Sequence, residues 1–77
     1  MKPLLRITWY DAEDHNETWV AKNDIEKWAD KFKTVVSIGW LLRRNKKYVV
    51  LAADDAGGEW GRVTKIPMGW IIKEETL

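Results

Sequence analysis

The sequence predicts a mainly β, α+β fold: a small, curled, five-stranded antiparallel barrel with one short helix after the first strand. Three observations lead there. Apolar residues recur in five short runs of strand character, the links after the second run are brief and rich in turn residues, and one stretch repeats at helical spacing. The 77 residues make a single domain, 1–77, whose 45% hydrophobic and 32% charged content is ordinary for a globular chain.

Residues 4–10 alternate, with Leu5, Ile7 and Trp9 on one side and Arg6, Thr8 and Tyr10 on the other, as in a half-buried strand that Asp11 ends. Polar residues follow through Asn16, and Thr18-Trp19-Val20 is too short to assign. Asn23 with Glu26 matches a capping box, and Ile25, Trp28, Ala29 and Phe32 fall at i, i+3, i+4 and i+7. This predicts a helix over 24–33 that covers an open end or face of the barrel and places Trp28 in the core.

From Thr34 the period changes, and residues 35–42 read as a strand apolar on both faces, with Val36, Ile38, Trp40 and Leu42 sharing one side. Residues 43–47, Arg-Arg-Asn-Lys-Lys, form a polar hairpin connection to a returning strand at 48–53. Residues 54–59 make a loop, 60–66 a fourth strand closed by Pro67, Met68-Gly69-Trp70 a tight turn, and 71–76 the last strand. Short links between successive strands suit an SH3-like or Sm-like barrel. The two central strands are apolar on their outer faces too, which predicts a homo-oligomer.

Composition narrows the chemistry. No cysteine is present, which removes disulfides, thiol nucleophiles and cysteine-based zinc sites and fits a reducing cytoplasm. The first residues lack the apolar core of a signal peptide, and no run approaches the ~20 apolar residues of a membrane span. A net charge of +1 disfavours a dedicated duplex-DNA binder. The charge is unevenly spread, with Asp11, Glu13, Asp14 and Glu17 around His15 and a basic run at Arg43, Arg44, Lys46 and Lys47. A lone histidine, a lone serine (Ser37, inside a strand) and no phosphate loop give no basis for an enzyme, a cofactor or a metal. Asp54, Asp55 and Glu59 read as an acidic turn, since their spacing does not match a calcium loop.

Six tryptophans carry the positive case, because a domain this small has room for about three or four residues of that size. Trp9, Trp28 and Trp40 lie on apolar stripes and are expected in the core. Trp60, between glycines at 58 and 61, and Trp19 are expected outside, while Trp70, in the turn before the last strand, could equally present to a ligand or plug the barrel end. With Arg43, Arg44 and Arg62 they supply stacking surfaces and guanidinium groups, the combination that holds a base and its phosphate, while Tyr48 adds a hydrogen-bonding edge. Arg62 is two residues from Trp60 and so is expected on its side of the strand. The same residues also suit a protein interface.

At Trp9-Tyr10-Asp11, Trp19, Ser37-Ile38-Gly39-Trp40-Leu41, Tyr48-Val49-Val50-Leu51-Ala52 and Ile66-Pro67-Met68-Gly69-Trp70-Ile71, the chain resembles small bacteriophage and prophage proteins over most of its length. That resemblance implies a small SH3-like or Sm-like barrel in the host cytoplasm. It further implies a non-catalytic, oligomeric counter-defence sponge for a nucleotide immune signal, a cyclic oligonucleotide or ADP-ribose derivative of the kind made by CBASS or Thoeris systems. The alternatives are a module that inhibits or recruits a host protein, an Sm-like binder of single-stranded RNA, and, weakest, a nucleotide hydrolase.

Overall fold

A computed structural model describes residues 2–77. Five antiparallel strands form one sheet: β1 (Leu4–Tyr10), β2 (Thr34–Arg44), β3 (Tyr48–Asp55), β4 (Trp60–Pro67) and β5 (Ile71–Thr76), in the order β4-β3-β2-β1-β5. A helix, α1 (Lys22–Ala29), interrupts the β1–β2 link, and a single 3-10 turn (Met68–Trp70) joins β4 to β5. Among the described residues no helix is long and apolar enough to cross a membrane.

The strand ladder ends at β4 and β5, so strand pairing does not close the expected barrel. The sheet nevertheless curls, because Leu5 and Ile7 of β1, Val49 and Leu51 of β3 and Ile66 of the β4 edge form one buried cluster. Strand alternation puts these on a single face. Trp9, Leu41, Met68 and Ile71 pack around it. Gly39 allows β3 to approach β2 closely: a Cβ there would meet the Ala52 carbonyl oxygen at 2.7 Å.

Several expectations need correction. The helix begins at Lys22 and ends at Ala29, and its N-cap is Ala21 with no side-chain capping bond, so the Asn23–Glu26 box does not form. Ala21 caps with its carbonyl alone, accepting from the Asp24 and Ile25 amides at 3.0 Å each. None of the helix is buried; Ile25 and Phe32 are exposed and Trp28 is only half-buried. The residue 11–33 excursion does not cover the buried face of the sheet: Trp28 stands edge-on to His15 within it, and Phe32 meets Tyr10 at the end of β1. Trp9 and Trp40 are likewise half-buried, and the fully buried core holds aliphatic side chains and no tryptophan.

Arg43 and Arg44 belong to β2, not to the turn. A bulge between Leu41 and Arg43 shifts the register, so Arg43 faces Val50 and Arg44 faces Val49, and the one-sided set ending at Leu42 is broken there. Asn45 makes the turn itself, its Oδ1 accepting from the backbone N–H of Lys47 (2.8 Å) and Tyr48 (3.0 Å). At the other end, β3 runs on to Asp55 and the loop is correspondingly shorter.

Candidate functional site

Three hollows surround the neck of the 11–33 excursion, beside the 3-10 turn. β1 ends on exposed Tyr10, and the Asp11 amide donates to the Lys33 carbonyl at 3.0 Å, which pinches the two sides of the excursion together. The Lys33 amide in turn donates to Glu13 Oε2 at 3.1 Å. This neck brings the Phe32 ring to 4.9 Å from that of Tyr10, tilted by 48°. Opposite them the 3-10 turn presents Trp70, held by offset stacking on Trp9 with centroids 6.3 Å apart and planes 20° apart. Trp9 is itself fixed, its indole N–H donating to Ser37 Oγ at 3.0 Å.

Between these walls lies an apolar cleft of about 200 Å³ lined by Tyr10, Asp11, Ala12, Phe32, Gly69 and Trp70. A neighbouring hollow of about 210 Å³ shares Asp11 and Phe32 and adds Trp28, Ala29 and Lys31. Trp28 and Glu13 also border a third, open hollow of about 460 Å³, which includes Asp14, His15, Glu17 and Lys33. The shared residues set the three hollows side by side as one groove, aromatic at the Tyr10–Phe32–Trp70 end and polar at the His15 end, with four carboxylates and two ammonium groups along it. His15 stands edge-on to Trp28 at 5.3 Å, and its Nδ1 accepts from the Glu17 amide at 3.2 Å, a bond that needs Nδ1 unprotonated.

The residues expected to make a nucleotide site are dispersed. Trp70 alone of them lines the groove. Trp19 stands 90% exposed ahead of α1 and lines none of the three hollows. Trp60 opens β4 opposite Asp55 and tilts against Trp40, centroids 6.3 Å apart. Tyr48 begins β3 at its far end, about 23 Å away at strand rise, with Arg43 and Lys65 over its ring at 5.9 and 5.7 Å. Arg44 reaches across the concave face to Glu74, whose hydrogen bond raises the guanidinium pKa further.

Arg62 is engaged by Asp54. Its backbone is left-handed, φ 49°, and its guanidinium grips Asp54 through two bonds of 2.7 and 3.0 Å. Gly61 leaves room for that carboxylate, which lies 3.3 Å from where a Cβ would stand. Hydrogen bonding by Arg62 holds the Asp54 carboxyl below the usual range. Asp55 Oδ1 accepts from the Gly57 amide at 2.9 Å, so both aspartates serve the turn.

Sequence reasoning missed the pairing of Tyr10 with Phe32 and the groove it builds. The available signal was two aromatics flanking an excursion whose polar residues give them no aliphatic core to enter. No family model, curated protein or solved structure matches this chain, and none of these comparisons supports the expected resemblance to small phage proteins.

Proposed function

We propose that this protein is a non-enzymatic interaction module whose groove takes an extended, positively charged polypeptide segment. One observation carries the reading: Tyr10, Phe32 and Trp70 line one cleft bordered by Asp11, and Glu13 lines the hollow next to it. Rigid aromatic walls bind extended chains at low entropic cost, and carboxylates beside exposed indole and phenol rings attract Lys or Arg side chains. The same rim repels phosphate. The strand order, with a 3-10 turn before the last strand, supports an SH3-like or Sm-like classification of the curled sheet. Absence of cysteine suits action in a reducing cytoplasm.

Selection from a random peptide library tests this. Enrichment of sequences rich in Arg, Lys and Pro, with binding lost in Trp70→Ala and Phe32→Ala, is the expected result. Recovery of acidic sequences, or of none, would refute it.

A second reading, capture of a small nucleotide signal as the phage resemblance implies, draws on Tyr48 with its two flanking cations. One subunit does not gather Trp60, Trp70 and Trp19 with Arg43, Arg44 and Arg62, so this reading needs a pocket shared between subunits. Calorimetry with cyclic dinucleotides and ADP-ribose derivatives separates the two.

A further inference from the structure

The outer face of β2, β3 and β4 carries an apolar strip with no partner within the subunit, bordered on β1 and β5 by Arg6, Thr8, Lys73 and Glu75. Directly opposed residues share a face, so the pairings Ile38 with Arg6, Val36 with Thr8, Trp40 with Ala52, and Ala52 with Val63 define that face, the reverse of the Leu5–Ile7 side. Val36, Ile38 and Val63 remain 56%, 50% and 52% exposed on it. Trp40 adds its indole beside that of Trp60. An apolar strip running down a long central strand and onto its neighbours is more than scattered surface hydrophobicity.

What covers it is indicated by charge. The excursion attached to the start of β2, residues 11–33, carries seven acidic against four basic residues, and the rest of the chain carries nine basic against five acidic. The basic surplus gathers at the opposite end of β2, where Lys46 and Lys47 form the hairpin tip and Arg43 and Lys65 flank Tyr48 on the outer face. β2 spans about 33 Å, and the molecule is elongated, 51 × 21 × 20 Å. Apolar surface thus lies between ends of opposite sign.

We propose that a second copy of this chain covers the outer face in an antiparallel, two-fold arrangement, with the Val36–Ile38–Trp40 strip against its own image and each basic hairpin tip beside the partner's acidic excursion. A two-fold interface is self-complementary, so one basic-to-acidic contact is made twice, whereas a parallel arrangement stacks like charges. A standard interface takes about 800 Å² per partner, roughly an eighth of the 6140 Å² surface. Asp14 and Glu17 also border the open end of the groove, so the partner's hairpin and a basic ligand draw on the same carboxylates. The two proposals fail separately: a monomer leaves the peptide reading intact, and a groove that takes no peptide leaves the dimer intact.

Light scattering and sedimentation of the full chain test the dimer. The expected mass is twice 9.0 kDa at micromolar concentration, with dissociation promoted by salt. Ile38→Glu is expected to give a monomer, and Ile38→Thr, which keeps strand propensity, a dimer weakened at least tenfold with its circular dichroism unchanged. Lys46→Glu with Lys47→Glu is expected to weaken association about tenfold, and adding Asp14→Lys with Glu17→Lys to restore it. A monomeric wild type, or a dimer indifferent to the reversal and its compensation, overturns the proposal.

Discussion

Trp70 stacks on Trp9 with their planes 20° apart, which ties the 3-10 turn to the side chain that ends the buried face of β1. The groove wall is therefore anchored to the core. Replacing Trp70 with Ala removes both the wall and the stacking partner. The expected outcome is a stability loss of about 0.5–1.5 kcal/mol beyond the area term, and peptide affinity reduced more than tenfold. Chemical denaturation and fluorescence titration measure the two separately.

Gly39 lies where the β3 backbone approaches β2 closely. A methyl group there meets backbone, the Ala52 carbonyl oxygen at 2.7 Å and carbon at 3.1 Å, which cannot rotate aside. Gly39→Ala is expected to cost about 1–3 kcal/mol, despite the better strand propensity of alanine. Urea denaturation should show the midpoint falling with the slope preserved.

Asn45 accepts two backbone N–H groups at the β2–β3 turn. Asn45→Ala leaves both to water and is expected to cost about 1–2 kcal/mol, whereas Lys46→Ala, with no such bonds, falls within about 0.5 kcal/mol. Hydrogen exchange at the Lys47 and Tyr48 amides should accelerate only in the first variant.

The β3–β4 end carries a pH signature. Arg62 lowers the Asp54 pKa in the folded chain, so the pair stabilises the fold above the range where the unfolded carboxyl ionises. That contribution is lost as pH falls through the folded value. Carboxyl carbon shifts should give Asp54 a midpoint below that of an ordinary aspartate, and Arg62→Ala should return it upward. A midpoint unmoved by the substitution contradicts the pairing.

β1 was legible to its last residue because Leu5, Ile7 and Trp9 alternate with Arg6, Thr8 and Tyr10 before Asp11. The central hairpin was legible for the same reason, but its turn was not. Two arginines and two lysines look like a solvated loop, and no local pattern announces a bulge at Leu42 that lets Arg43 and Arg44 continue the strand. The Ile25–Trp28–Phe32 stripe signalled a helix yet misled about its partner, since amphipathicity fixes which face is apolar and not what lies opposite. Of the site, Trp70 was visible as a turn aromatic. Tyr10 and Phe32 meet only because the Asp11–Lys33 bond closes the excursion, a contact between residues 22 apart that periodicity does not encode.

The Tyr10–Phe32–Trp70 cleft is the proposed binding surface. Indole nitrogen NMR during titration with a short arginine- and proline-containing peptide tests it most directly, because six N–H signals report six places at once. Trp70 and Trp28 should shift together and saturably while Trp19 stays still. Saturable shifts confined to Trp40 and Trp60, or no shifts at all, would contradict it.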